Sequence, residues 1–153
     1  MKKNILLALL LLTIDQALKV IISVFLKLNA SVVIINKFFN FTYVRNYGAA
    51  WSILSGNRIL LIIISLISLI FIYKFMIKDK NKFSFENICY SILLGGILGN
   101  LCDRIIYGYV IDYLDFTIFG YQYPIFNFAD ICIVISIFLI ICLTLKEGKN
   151  NGN

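Results

Sequence analysis

Residues 59–77 read ILLIIISLISLIFIYKFMI, a run in which Ser65, Ser68 and Lys74 alone interrupt apolar and aromatic side chains. A helix rises about 1.5 Å per residue, so a run of this length covers most of the roughly 30 Å hydrocarbon core of a bilayer. Three other stretches qualify by the same measure, at about residues 4–26, 88–106 and 125–145. With 61% hydrophobic residues, 14% charged residues and one proline in 153, too little polar surface is left to clothe a water-soluble globule. The expected architecture is an all-α membrane protein with four transmembrane helices in a single domain spanning residues 1–153. The polar tail 146–153 (KEGKNNGN) has no periodicity and is expected to be disordered.

A net charge of +6 is of the sign that nucleic acid attracts, but in a membrane protein the placement of Lys and Arg carries the information. Lys2 and Lys3 precede the first span, Lys74, Lys78, Lys80 and Lys82 cluster between the second and third, and Lys146 and Lys149 follow the fourth. This excess marks the cytoplasmic side, so both termini are expected inside and no nucleic-acid partner is expected. Lys2-Lys3 before an apolar run resembles the start of a signal peptide, yet the run continues through Asp15 and Lys19 to Leu26 without a small-x-small site. An uncleaved first helix is the expectation.

Between the spans, Val32–Ile35 and Phe38–Val44 are rich in β-branched and aromatic residues and read as two short strands. Leu114–Tyr123 has the same character, with Gly120 available for a turn. A small sheet on the outer membrane surface follows. Cys89, Cys102, Cys132 and Cys142 lie in or beside the spans as small hydrophobes, without disulfide or metal-binding spacing. The chain has no histidine, which removes a His-based metal site and any Ser-His or Cys-His nucleophile. Hydrolytic chemistry would fall to carboxylates, Lys or Ser.

Charged groups at membrane depth cost roughly 2.5–3.5 kcal/mol on insertion scales and persist when they pair or line a polar cavity. Asp15 and Lys19, four apart, share one face of the first span and either neutralise each other as a packing device or belong to a polar site. In the third, Asn100, Asp103 and Arg104 lie one above another near its outer end, and Gly95 and Gly99 let another helix approach closely. Asn127 and Asp130 share a face where the fourth begins; a lone Asp there favours the helix dipole. Asp112 follows the third span, so Asp112 and Asp130 flank one outer loop and can meet at one depth. Two carboxyls in a partly dehydrated site repel as anions; one keeps its proton while the other ionises, which supplies an acid and a base together. The residues alone reach a polar site of Asp112, Asp130, Asn100, Arg104 and Asn127, with Asp15 a further candidate, and leave open which Asp is protonated.

Four blocks in order, DQALK from Asp15, RNYGAAW from Arg45, GNLCDRIIYGYVIDYLD from Gly99 and FNFAD from Phe126, give the chain a resemblance to the bacterial lipoprotein signal peptidases, signal peptidase II. The resemblance implies four transmembrane helices with a small extracytoplasmic β-cradle, and an aspartic endopeptidase that cuts a diacylglyceryl-modified prolipoprotein before its lipidated cysteine. It implies Asp112 and Asp130 as the catalytic pair, no metal or other cofactor, and Asp15, Asn46, Asn100, Arg104 and Asn127 as substrate-binding residues. Trp51 is a candidate for substrate gating or for simple anchoring at the interface. Membrane lipid and a globomycin-type inhibitor are the other implied partners, and a monomer in the bacterial cytoplasmic membrane, with its site on the extracytoplasmic face, is expected. Ile97 and Tyr113 depart from the family's usual residues and bear on local packing.

A small ion- or proton-coupled transporter would use Asp15, Lys19, Asp103 and Asp130 as a relay, but the second span offers only Ser65 and Ser68 to continue it. A non-catalytic assembly subunit would use the glycines and polar residues as helix glue. An intramembrane aspartyl protease of the presenilin type would show Gly-x-Gly-Asp, which is absent.

Overall fold

The computed structural model describes residues 2–49, 53–78 and 84–150. Among them, four helices are long and apolar enough to cross a membrane: Lys2–Phe25 (α1), Arg58–Lys78 (α2), Phe85–Ile106 (α3) and Phe128–Asn150 (α4). Four strands, Ser31–Ile35 (β1), Phe39–Asn46 (β2), Val110–Ile118 (β3) and Tyr121–Gln122 (β4), form one antiparallel sheet in the order β1-β2-β3-β4. The architecture is the helical membrane fold with a small sheet that the sequence led us to expect.

The helices do not share the work equally. In α3, 50% of the span is buried, against 17–22% in the other three, and α3 packs on each of them. Its glycines allow this. A side chain at Gly96 would meet the Ala129 carbonyl oxygen at 2.6 Å, and one at Gly99 would meet the Asp15 carboxylate at 2.5 Å. The small residues therefore let α1 and α4 close on α3 at the depth where the polar side chains lie. Ser84 caps the other end of α3 by accepting the Asn87 amide at 3.2 Å.

The sheet rests on the end of the bundle where α1 finishes and α4 begins. Tyr43, Ile111 and Tyr113 form a buried cluster with Ile22, against which Leu18, Leu26 and Phe128 pack. The β3–β4 hairpin turns on Phe119 and Gly120, both at positive φ, as a two-residue turn with the right-handed strand twist requires. Away from the sheet, Ile72, Met76 and Leu93 join α2 to α3, with Ile133 and Ile140 of α4 against them.

Three boundaries differ from expectation. β3 begins at Val110, four residues before the expected strand, because Asp112 and Asp115 interrupt the apolar pattern although pairing with β2 holds them in the ladder. The fourth span begins at Phe128, because Ile125 and Phe126 remain extended and Phe126 bridges Leu114. The tail expected to be disordered from Lys146 instead continues α4 to Asn150. Adding residues to a formed helix is cheap, and Gly148 costs only about 1 kcal/mol. Residues 151–153, and Trp51 with its neighbours Ala50 and Ser52, lie outside the described residues.

Candidate active site

The start of α4 is built by two side chains that cap each other. The Asp130 amide donates to Asn127 Oδ1 at 3.0 Å, and the Asn127 amide donates to Asp130 Oδ2 at 3.1 Å. This is a capping box made with Asn and Asp, and it fixes the Asp130 carboxylate at the positive end of the helix. The side-chain amide of Asn127 is then aimed outward from α4, donating to Asp112 Oδ1 at 2.6 Å and to Asn100 Oδ1 at 3.1 Å. Asn100 Nδ2 donates to Asp130 Oδ1 at 2.8 Å, and Asn46 Nδ2 donates to Asp112 Oδ2 at 2.9 Å. All four carboxyl oxygens of Asp112 and Asp130 thus accept from neutral N–H groups. Among the described residues, neither carboxyl has a salt-bridge partner.

Asp112 reaches this position from the middle of the sheet, where β3 pairs it with Val44 of β2. It is 2% exposed. Burial, and next the Asp130 charge, push its carboxyl up to about 7, against the opposing pull of the Asn46 and Asn127 hydrogen bonds. At neutral pH Asp112 therefore sits near half-protonation.

A second carboxyl pair lies behind the first and is treated differently. Lys19 Nζ contacts Asp15 Oδ2 at 2.8 Å and Asp103 Oδ2 at 2.9 Å, and donates its third bond to Asn100 Oδ1 at 3.0 Å. Gln16 Nε2 donates to Asp103 Oδ1 at 2.9 Å and to the Gly99 carbonyl at 3.1 Å. Further bonds reach across the fold: Asp15 Oδ1 accepts the Ala129 amide at 3.0 Å, and Asp103 Oδ2, besides meeting Lys19, accepts the Ile111 amide at 3.2 Å. This tier binds α1 and α3 to the starts of α4 and β3. Because Asn100 Oδ1 is held by both Lys19 and Asn127, its amide nitrogen has to face Asp130.

Arg104 donates to the Gly48 carbonyl at 2.7 Å and to the Asn100 carbonyl at 3.2 Å, while Asn46 Oδ1 accepts the Gly48 amide at 2.8 Å. Both carboxyls open onto a cavity of about 940 Å³ lined by Asn46, Asn100, Arg104, Asp112 and Asp130 at its polar end. Apart from Ser65 and Ser68 of α2, the rest of the lining is apolar or aromatic and runs between α2 and α4 over a floor of Leu93 and Ile97 from α3. Of the residues singled out from sequence, Asn127 and Asp15 are buried behind this lining: Asn127 braces both carboxyls, and Asp15 is absorbed into the Lys19 tier. Sequence reasoning does not single out Gln16, and it pairs Lys19 with Asp15 without bringing Asp103 to the same ammonium. The spacing 15, 16, 19 already placed all three on one turn of α1. Among the described residues no group of three or more His, Cys, Asp or Glu side chains is arranged to hold a metal.

A family model described as signal peptidase (SPase) II matches residues 7–146. The chain belongs to the signal peptidase II family. A lipoprotein signal peptidase of Staphylococcus aureus strain JH9 is 44% identical over 147 residues, covering 96% of this chain and 90% of that protein. A solved structure titled as a bacterial membrane enzyme, obtained by the in meso method at 2.3 Å, superposes with a TM-score of 0.91 at 42% identity, covering 98% of this chain and 92% of that one. A second, obtained at 1.9 Å, gives a TM-score of 0.85 at 42% identity, with 95% and 94% covered. Membership of the signal peptidase II family makes this chain a peptidase and, with its four apolar helices, a multi-pass protein of a bacterial membrane.

Proposed function

We propose that the chain is an aspartic endopeptidase that removes the signal peptide from diacylglyceryl-modified prolipoproteins, cutting before the lipidated cysteine. The observation that carries this reading is the pair Asp112 and Asp130, bridged by Asn127 and Asn100 without a cation, at the polar end of an apolar cleft between α2 and α4. Such a cleft suits a substrate with acyl chains and an apolar signal helix, which then reaches the carboxyls without leaving the bilayer. The relatives' name, lipoprotein signal peptidase, supports the same substrate.

Asp130 acts as the base. It sits at a helix N-terminus and accepts a backbone amide, both of which favour its anion. Asp112, with its carboxyl lifted to about 7, is the proton-bearing partner. Asp130 takes a proton from water as the oxygen attacks the scissile carbonyl, and Asp112 donates a hydrogen bond to the carbonyl oxygen as charge develops there. Collapse of the tetrahedral intermediate breaks the C–N bond, and the leaving amine takes a proton from the dyad.

Asn46, Asn100 and Arg104 serve as substrate-binding residues at the cavity, whereas Asn127 and Asp15 contribute by positioning them. Trp51 is kept as a gating residue on sequence alone. A globomycin-type cyclic peptide would compete for the same cleft, and the chain works as a monomer with its termini in the cytoplasm and its site at the extracytoplasmic face. The test is cleavage of a diacylglyceryl-modified prolipoprotein by purified protein, with Asp112→Asn and Asp130→Asn beside the native chain. Cutting before the lipidated cysteine by native protein, and none by folded variants, is expected; normal cutting by both variants would sink the aspartate mechanism.

A further inference from the structure

Every acidic side chain at the sheet end of the bundle is turned away from the surface. Asp15, Asp103, Asp112 and Asp115 are buried, and Asp130 is half-buried against the cavity. The exposed charges at that end, Lys27, Lys37, Arg45 and Arg58, are all cations. Arg58 is committed, donating to the carbonyls of Arg104 at 2.7 Å and Ile105 at 2.8 Å. Arg45 has no carboxylate partner among the described residues, and its hydrogen bonds go to the side chains of Tyr43 and Tyr47.

Arg45 is nevertheless held in place. Its guanidinium lies 4.6 Å over the ring of Tyr109, which stacks on Tyr107 at 5.9 Å and meets Tyr47 edge-on at 5.6 Å. A guanidinium carries five N–H donors, so stacking on Tyr109 and bonding to Tyr43 and Tyr47 still leave part of its planar fork to donate outward, the geometry that suits a phosphate. Tyr107 directly follows Ile105 and Ile106, which are 54% and 63% exposed at the end of α3. The guanidinium therefore sits beside the rim where the lipid-facing surface ends, the level of lipid headgroups, where tyrosines concentrate.

We propose that Arg45, flanked by Tyr47 and Tyr107, binds the phosphodiester of an anionic phospholipid in the leaflet that meets the sheet. Charge complementarity selects the anionic class: the exposed field around the site is wholly positive, so a headgroup with its own cation loses what its phosphate gains. The assignment depends on the chain spanning a membrane and is independent of the peptidase mechanism.

Native mass spectrometry of the full chain released from nanodiscs tests it, with phosphatidylglycerol or phosphatidylcholine as the probe lipid. Native protein is expected to retain phosphatidylglycerol about five- to tenfold more tightly than Arg45→Gln, the scale of one well-placed cation at a membrane surface. Phosphatidylcholine should not distinguish the two, Arg45→Lys should fall between them, and Lys37→Gln, at the opposite end of β2, should match the native chain. Equal retention of phosphatidylglycerol by native and Arg45→Gln protein overturns the proposal, as does its displacement by millimolar inorganic phosphate, which would mark a free-anion site. An unchanged melting temperature of Arg45→Gln in phosphatidylcholine, the expected result for an exposed side chain, separates lost binding from lost fold; a collapsed one would assign Arg45 to the fold and overturn the site.

Discussion

Two pairs of aspartates lie within one polar region of this protein, and they meet opposite treatment. Asp15 and Asp103 share Lys19, at 2.8 and 2.9 Å, and every oxygen of theirs is tied to α1, α3, α4 or β3. Asp112 and Asp130 receive only amide N–H groups and face a cavity. A neutralised pair is a structural device, whereas an un-neutralised pair must share a proton and so retains acid and base together. Residue type is alike in the two tiers, and Asp112 is as buried as Asp15 and Asp103; the placement of one cation separates framework from chemistry.

The widest separation is expected in activity. Asp112→Asn and Asp130→Asn each lower kcat by roughly 10³-fold or more while the protein stays folded, since a positioned acid or base contributes about 10²–10⁴ and the two act as a unit. Circular dichroism beside the cleavage assay checks both halves of that statement. Equal loss of fold would erase the distinction between the tiers.

Next comes Lys19→Met, which leaves Asp15 and Asp103 buried without a cation. Breaking a buried pair in this way costs about 3–5 kcal/mol, so a large fall in thermal stability is expected. Adding Asp15→Asn and Asp103→Asn to Lys19→Met should restore part of it. A variant as stable as the native chain would show that the inner tier is not the framework described.

Stability against pH sharpens the contrast further. The folded carboxyl of Asp112 titrates near 7, above its ordinary value of 3.8, so from about pH 4 upward the unfolded chain releases a proton that the folded chain keeps. Stability attributable to Asp112 is therefore complete below about pH 4 and lost as pH rises toward about 7. Melting scans across that window should show the decline in native protein and a flatter profile in Asp112→Asn. The smallest effect is expected from Asn46→Ala. Its hydrogen bond lowers the Asp112 value, so removing it moves the alkaline limb of the pH–rate profile upward, by about one unit or less.

Much of this was legible in the residues. Four apolar runs mark the helices, and the spacing of Asn127 and Asp130 puts them on one face at the start of the fourth, although the reciprocal capping that aims one carboxyl is seen only in the structure. The placement of Asp112 was less visible. Its strand is expected from the residues to begin at Leu114, because Asp112 interrupts the apolar run VIDY, and only pairing with β2 holds it in the ladder. The sorting of carboxyls into tiers was not legible at all. Asp15 was read as a substrate-binding residue, yet which aspartate Lys19 neutralises depends on how closely α1 and α4 approach α3 at Gly99 and Gly96, a distance that no spacing along the chain contains.

The central claim is that burial and the Asp130 charge, with no cation paired to it, hold the Asp112 carboxyl near 7, so that it still carries its proton in part at neutral pH. Difference infrared spectroscopy of native protein against Asp112→Asn, scanned from pH 4 to pH 9, reads that proton directly through the protonated carboxyl stretch. The account predicts a band that disappears with a midpoint near 7. A midpoint near 4 would mean that Asp112 is an ordinary ionised carboxylate, and the division between the two pairs would not hold.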